Sequence, residues 1–231
     1  MMLVRRLSAA LLLVGLAAAP ALAQKVEERV DRTLPFQPGG TLRLKTFSGT
    51  VEVVGGQGAN VVVHAVRRAE PDKLRDIRFD IQTSGNTITI NANQNDGRRR
   101  DENVVETDIR IEVPVGTRLD IKSFSAPVTV RNVEGPTELD TFSGKVEVEA
   151  ATWPDGQALD VNTFSGDIDV RLPGDSRGAL SFNTFSGDLS TDLPLTMSRA
   201  RGRRNVEGTL NGGGSGRVHL KTFSGDATVR R

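Results

Sequence analysis

Apolar and polar residues alternate along most of this chain, and a Ser-Gly pair interrupts the alternation at intervals. Residues 139–148 show the pattern clearly: apolar, polar, Thr, Phe, Ser, Gly, polar, apolar, polar, apolar. Alternation with a period of two predicts a β-strand that buries one face. The alternation changes phase at Ser-Gly, where glycine permits a bend or bulge without a Cβ clash. Each unit therefore predicts two short strands joined at a corner.

This unit is repeated along the chain. Five copies contain Thr-Phe-Ser-Gly, and their phenylalanines are Phe47, Phe142, Phe164, Phe185 and Phe223. A sixth, degenerate copy places Phe124 in the same slot, and successive phenylalanines of this slot are 77, 18, 22, 21 and 38 residues apart. A period of about 20 residues fits one coil of a β-solenoid and is too short for a propeller blade. The predicted fold class is therefore all-β, a stacked, β-solenoid-like repeat with a Thr-Phe-Ser-Gly turn unit about every 20 residues.

The alternation leaves the position of these phenylalanines open. Each ring falls on the face opposite the apolar residue three positions before it. We favour burial of the rings beneath a neighbouring strand or the N-terminal segment. The alternative is an exposed aromatic stripe, and an exposed stripe of this kind would be a binding surface. In that case Phe47, Phe142, Phe164, Phe185 and Phe223 are the candidate surface-binding residues.

Two parts of the repeat region depart from the strict unit. In the degenerate copy Ala126-Pro127 replaces Gly and its successor, and proline cannot donate a strand hydrogen bond, so we expect that corner to be distorted or at an edge. Residues 54–113 form a less regular β segment with strands predicted at 60–66, 78–82, 87–92 and 107–113. A turn is predicted at 84–86, a short helix at 70–77 and a polar loop at 93–103. Whether this segment continues the solenoid or forms a separate layer stays open.

The first 23 residues predict export. Arg5 and Arg6 precede an apolar run at residues 7–19, and Ala21-Leu22-Ala23 is typical of a signal-peptidase site. Cleavage would leave Gln24 at the N-terminus of a single β-repeat domain at 24–231. We expect this domain to be periplasmic or extracellular. We expect no membrane span, because the apolar run is shorter than the roughly 20 residues that a span needs.

Charge argues against a nucleic-acid partner. The formal net charge is +1, and loss of the two signal-peptide arginines would change it to −1, whereas phosphate binding needs a concentrated basic surface. Basic runs at 98–100 and within 199–204 are interpreted as solvated loop tips, with a site for an anionic glycan or lipid headgroup as the alternative.

The residues that most metal, cofactor and nucleophile chemistry requires are scarce. The chain has no cysteine, and its only histidines are His64 and His219, so we predict no cofactor and no metal. Asp167, Asp188 and Asp226 follow glycine in three copies and could stack into a carboxylate column for Ca²⁺. Because other residues fill that slot in the remaining copies, solvated turn carboxylates are the favoured interpretation.

Acidic residues also mark no glycosidase pair. The candidate acids recur at outward strand positions, as solubilising residues would, and they are Asp140, Glu147, Asp160 and Asp169. The five Thr-Phe-Ser-Gly copies are more than one nucleophile requires. The sequence therefore predicts a protein without catalytic activity.

The chain resembles a known family through three features: the Ser-Gly-Asp-apolar-x-Val repeats, the Ile-Glu-Val-Pro-Val-Gly stretch at 111–116, and the Gly-rich approach at 211–216 to the last copy. It is similar to the bacterial β-strand-repeat family of uncharacterised function labelled "putative adhesin". The resemblance implies a stacked β-repeat fold, an envelope or extracellular location and no catalytic residues. We favour an exported structural or adhesin-like envelope protein whose partner is an unidentified envelope or extracellular component, a glycan or a protein. An envelope glycan-binding module is the alternative, and a carbohydrate-active enzyme is the least favoured hypothesis.

Overall fold

The computed structural model describes residues 25–95, 105–200 and 204–231, and these residues are almost entirely β-structure. The predicted signal peptide, the arginines at 98–100 and residues 201–203 of the second basic run lie outside this part of the chain. The interpretations placed on them, and the domain boundary at residue 24, stay predictions.

Eighteen strands and one short helix form in the described part of the chain. The N-terminal half contains β1 (Val26–Pro35), β2 (Thr41–Gly56), β3 (Asn60–Ala69), α1 (Pro71–Asp76), β4 (Ile77–Ser84), β5 (Thr87–Asn95) and β6 (Glu106–Pro114). The following repeats contain β7 (Arg118–Ser125), β8 (Val128–Arg131), β9 (Thr137–Ser143), β10 (Val146–Glu149), β11 (Ala158–Ser165), β12 (Ile168–Arg171), β13 (Gly178–Ser186) and β14 (Leu189–Thr191). The C-terminal part contains β15 (Leu195–Ala200), β16 (Asn205–Leu210), β17 (Gly216–Ser224) and β18 (Ala227–Arg230).

Each repeat contributes one strand to each of two stacked sheets. The strand that precedes Ser-Gly joins the sheet that we call the front sheet, and the strand that follows joins the back sheet. Neighbouring repeats pair in parallel and in register, so that Thr163 lies beside Thr141 on one side and Thr222 on the other. The prediction of an all-β, β-solenoid-like stack is confirmed.

The coils do not stack in sequence order. The last copy, β17 with β18, lies between the coil of β11 and β12 and the coil of β13 and β14. At the other end, β2 lies between β5 with β6 and β7 with β8. The irregular segment therefore continues the solenoid through β5 and β6, and the last copy in the sequence is held by neighbours on both sides.

Antiparallel strands cover the ends of the stack. At one end β3 pairs antiparallel with β6 and β1 with β3, while β4 pairs antiparallel with β5. At the other end β16 pairs antiparallel with β13, and β15 with β16. The back sheet ends there in β14, which is only three residues long. Such a short edge strand limits pairing of the back sheet with other chains at that end.

The apolar positions of the units form the core between the two sheets. In the second full copy Leu139 and Thr141 before the corner, and Val146 and Val148 after it, are all buried. The change of phase at Ser-Gly thus lets both strands of a coil face the same interior. Fully buried Phe182 occupies the slot that leucine, isoleucine or valine fills in other copies.

The local predictions for the irregular segment hold with small changes of boundary. The helix forms at Pro71–Asp76, and the turn at 84–86 joins the antiparallel pair β4 and β5. Residues 93–95 of the predicted polar loop belong to β5, which continues to Asn95, and the rest of that prediction lies outside the described residues.

The corner at Ala126-Pro127 is distorted, as expected, but it is not at an edge. The amide of Ala126 donates to Oγ of Ser123 at 3.0 Å within its own coil, whereas the corner amide of Gly144 donates to the carbonyl of Ser165 in the next coil. Strands β8 and β7 have parallel neighbours on both sides. The first of the two expected alternatives therefore holds, because the amide of Ala126 bonds within its own coil instead of to the next one.

Candidate functional site

Six phenylalanine rings form one continuous stack on the outside of the front sheet. In spatial order, this phenylalanine ladder consists of Phe47, Phe124, Phe142, Phe164, Phe223 and Phe185. Neighbouring centroids lie 4.7 to 4.9 Å apart and the ring planes are within 9° of parallel. This spacing is the separation of adjacent strands, so register in the sheet sets the stack. The ladder is about 24 Å long, which is five such separations.

The favoured prediction that these rings are buried is wrong. Phe124, Phe142, Phe164 and Phe223 are 44 to 47% exposed and Phe185 is 64% exposed, while Phe47 is half-buried. The alternation changes phase at Ser-Gly, after the phenylalanine. The threonine or serine before each ring is on the inner face, so the next residue, the phenylalanine, points outward. The structure therefore brings all five candidate surface-binding residues, with Phe124, into one column that is exposed except at half-buried Phe47.

Stacking leaves mainly the edges of the rings accessible. Because each inner ring lies between two parallel rings at less than 5 Å, both of its faces are covered. The exposed rim of an aromatic ring is the positive part of its quadrupole. The ladder thus presents a ribbed apolar surface with a slightly positive character.

A second column, which we call the polar column, runs parallel to the ladder. Its residues lie two positions before each phenylalanine and therefore on the same outer face; those beside the inner part of the ladder are Lys122, Asp140, Asn162, Lys221 and Asn183. Between the two columns lies a groove of about 790 Å³, lined on its apolar side by Phe142, Phe164, Phe223 and Phe185. The threonines between the columns face the interior, so we infer that backbone forms the floor of the groove.

The acidic member of the polar column is already paired. The Nζ atom of Lys122 donates to Oδ2 of Asp140 at 2.8 Å, and this bond to the carboxylate is the main cause that raises the pKa of Lys122. Asn162 donates to the other carboxylate oxygen at 3.3 Å. Lys221 lies in register between Asn162 and Asn183 and makes no ion pair within the described ranges. The end of the groove near Phe185 is therefore rich in hydrogen-bond donors and carries one free positive charge.

The outer face of the back sheet is different, because its charges satisfy one another. A continuous row of ion pairs crosses this face and consists of Arg110, Glu52, Arg131, Glu149 and Arg171. Within it, Glu149 contacts Arg131 at 3.1 Å and Arg171 at 3.2 Å. Alternating charges across neighbouring strands stabilise the sheet and leave little unpaired charge for a partner. The front sheet is consequently the better candidate for a contact surface.

The aspartates that follow the corner glycines also have a structural role. Oδ1 of Asp226 accepts from the amide of Asp188 at 2.8 Å, and Oδ1 of Asp167 accepts from the amide of Asp226 at 3.0 Å. All three residues are exposed. No group of side chains suited to a metal ion forms among the described residues. The carboxylates therefore bond the corner of the neighbouring coil.

The candidate acids do not converge on one site. Asp140 and Asp160 lie on the front sheet, whereas Glu147 pairs with Lys145 and Asp169 with Arg230 on the back sheet. A glycosidase needs two carboxyl groups flanking one bond. The four acids therefore lie as two pairs on opposite faces. Asp140 and Asp160 both accept from the Asn162 amide, and Glu147 is in register with Asp169.

One side-chain contact was not predicted from the sequence. Nδ1 of His219 lies 2.6 Å from Oγ of Ser181, and Asp160 is in register with His219 on its other side. The spacing of the repeat could have predicted this contact, because all three residues lie four positions before a phenylalanine of the ladder. The backbone amides of β13 and β17 bond neighbouring strands and are therefore not available to an oxyanion. The second histidine, His64, contacts Asp31 at 2.6 Å on the exposed pair of β1 and β3.

Comparisons with known proteins agree with this architecture. The family model described as "Toastrack DUF4097" matches residues 33–230. A search of curated proteins finds no match. In the part of the chain that the structure describes, no helix is long and apolar enough to cross a membrane.

Solved structures give the fold. The structure of a "putative cell adhesion protein" from Clostridium sporogenes matches with a TM-score of 0.64 and 11% identity, over 90% of this chain and 99% of that chain. A "putative adhesin" from Bacteroides fragilis has a TM-score of 0.33 and 10% identity, over 88% and 97% of the two chains. A "putative adhesin" from Parabacteroides distasonis has a TM-score of 0.30 and 8% identity, over 91% and 98%. Only the first likeness is close enough to support the fold.

Proposed function

Since this chain belongs to the Toastrack DUF4097 family, we propose that it is an exported, non-catalytic, adhesin-like protein of the cell envelope, which binds an extended partner along the phenylalanine ladder. The resemblance stated from the sequence is confirmed at the level of the family. The name of the Clostridium sporogenes structure supports a role in adhesion. The ladder supplies the surface for it.

The observation that carries the proposal is the exposure of five of the six aligned rings. Burying an apolar side chain is favourable by roughly 25 cal/mol per Å² of apolar surface, so leaving a row of phenylalanines half exposed forgoes stability. Contiguous exposed apolar patches on soluble proteins commonly mark interaction sites. We infer that a partner covers the ladder.

Repetition strengthens this surface. Each coil presents the same ring at nearly the same spacing, so a long partner would make several equivalent weak contacts. Several linked contacts bind much more tightly than one. A repeated, rigid surface without a unique reactive cluster suits adhesion better than catalysis.

An envelope glycan is the second candidate for the partner. The polar column beside the ladder favours it, because lysine and asparagine can bond sugar hydroxyls. The covered faces of the inner rings oppose it, because a sugar would have only ring edges to contact along most of the ladder. For this reason we place a glycan-binding module second.

The triple substitution Phe142→Ser, Phe164→Ser and Phe223→Ser is expected to weaken sedimentation of the mature chain with isolated bacterial envelopes at least tenfold. The physical reason is loss of half of the ladder, while the fold should persist because these rings are exposed. The matched control, Thr129→Ala, Glu147→Ala and Thr228→Ala, lies on the back sheet in the coils of Phe124, Phe142 and Phe223 and should bind as the unchanged protein does. Equal binding by the phenylalanine variant, or no binding by the unchanged chain, would contradict the proposal.

Export has its own test. Expression of the full chain in a Gram-negative host should yield a periplasmic or secreted product whose intact mass starts at Gln24, because Ala21-Leu22-Ala23 matches the small-residue cleavage site. Replacing Ala23 with a bulky residue such as phenylalanine should block processing. A cytoplasmic product that retains residues 1–23 would show that the export prediction is wrong.

A further inference from the structure

We propose that the groove between the phenylalanine ladder and the polar column binds a single acyl chain with an anionic headgroup, lying along the solenoid axis. This inference rests on the proposed function, since it names the chemistry of the partner at the same surface. The headgroup would lie between Lys221 and Asn183, and the chain would run from there along Phe223, Phe164 and Phe142.

The shape of the apolar wall favours an acyl chain. Four rings at intervals of 4.9 Å form a continuous ribbed wall with no polar atom in their side chains. A chain of methylenes is flexible and can follow the ribs, and it needs no flat ring face. A rigid sugar that stacks on aromatic faces would find them occupied by the neighbouring rings.

The charges on the opposite wall indicate an anion. The charge of Asp140 is paired with Lys122, and Asn162 donates a hydrogen bond to its other oxygen. Lys221 has no ion pair among the described residues and is flanked in register by Asn162 and Asn183. A carboxylate placed here could accept charge-assisted bonds from Lys221 Nζ and a bond from the Asn183 amide. The positive rims of the neighbouring rings add to this preference.

The same face is poorly suited to an intact anionic membrane. The row next to the polar column contains Asp120, Glu138 and Asp160, of which only Asp120 has an ion pair, with Arg43 at 3.6 Å, within the described ranges. A bilayer surface would press its phosphates against these carboxylates. A single chain confined to the groove avoids them, so we commit to the monomeric amphiphile.

Calorimetric titration of the mature chain with octanoate, decanoate and dodecanoate, each below its micelle concentration, tests the proposal. The affinity should rise about twofold for each added methylene, since a methylene in an open groove is about half buried. Lys221→Gln should weaken dodecanoate binding about tenfold and leave binding of the uncharged dodecanol unchanged. The matched control Lys45→Gln alters the same slot outside the groove and should have no effect.

The outcomes separate this inference from the proposed function. Absence of dodecanoate binding, an affinity independent of chain length, or equal effects of Lys45→Gln and Lys221→Gln would overturn the acyl-chain site. If the phenylalanine variant still loses envelope binding in that case, the adhesive surface stands with a different partner. If that variant retains both dodecanoate and envelope binding, both proposals fail.

Discussion

The substitution Gly225→Ala is expected to destabilise the protein by about 3 kcal/mol or more. Gly225 has φ +150° at the corner of the last copy, and an added Cβ would lie 2.3 Å from the carbonyl oxygen of Gly166 in the neighbouring coil. The coil cannot move away, because coils lie on both sides of it. The loss should lower the midpoint of thermal unfolding by about 6 to 12 °C, measurable by calorimetry or circular dichroism.

The matched control is Gly116→Ala. Gly116 lies in a turn with no atom within 4 Å of an added Cβ and without a positive φ. Alanine at an unstrained turn position restricts the unfolded chain, so stability should be unchanged or greater by up to about 1 kcal/mol. If both variants melt together, close contact of the coil corners is not what requires glycine at Gly225.

Truncation of Phe182 to alanine is expected to cost about 3 to 5 kcal/mol of unfolding free energy. The ring is completely buried between the sheets, and its removal would leave a cavity that the rigid, paired strands around it cannot fill. Chemical denaturation in urea, with the midpoint and slope compared between variants, measures the loss.

Phe185→Ala is the matched control on the same strand. Phe185 is 64% exposed and stacks on one side only, against Phe223. Its removal should cost no more than about 1 kcal/mol, the contribution of one aromatic pair. Similar losses from both variants would show that Phe185 is packed as tightly as Phe182, which would contradict the exposed ladder.

The two faces of the solenoid divide structure from function. Ion pairs on the back sheet and carboxylates at the corners bond neighbouring coils, and among the residues that the structure describes they leave little unpaired charge on that sheet. The front sheet has instead an apolar column and a free lysine beside it. A partner could therefore bind the front sheet without disturbing the ion pairs and corner bonds that hold the coils together.

The sequence alone determined the architecture. Alternation with a change of phase at Ser-Gly, repeated about every 20 residues, is enough to predict two sheets, a shared core and stacked coils, because each single coil buries too little surface to fold alone. It also led to the correct family through local motifs. The alternation, the repeat and the family motifs depend only on residues close in the sequence or on a fixed spacing, so the sequence alone is enough to find them.

Only the tertiary structure decided which surface is available for function. The exposure of Phe142 and its equivalents depends on where the corner turns and on the absence of a covering strand among the described residues. The stack of Phe223 between Phe164 and Phe185 depends on insertion of the last copy out of sequence order. Strand order and the covering of a face arise from contacts between segments that are distant in the sequence. The alternation of apolar and polar residues in a coil is the same whichever other coil packs beside it, so it cannot predict these contacts.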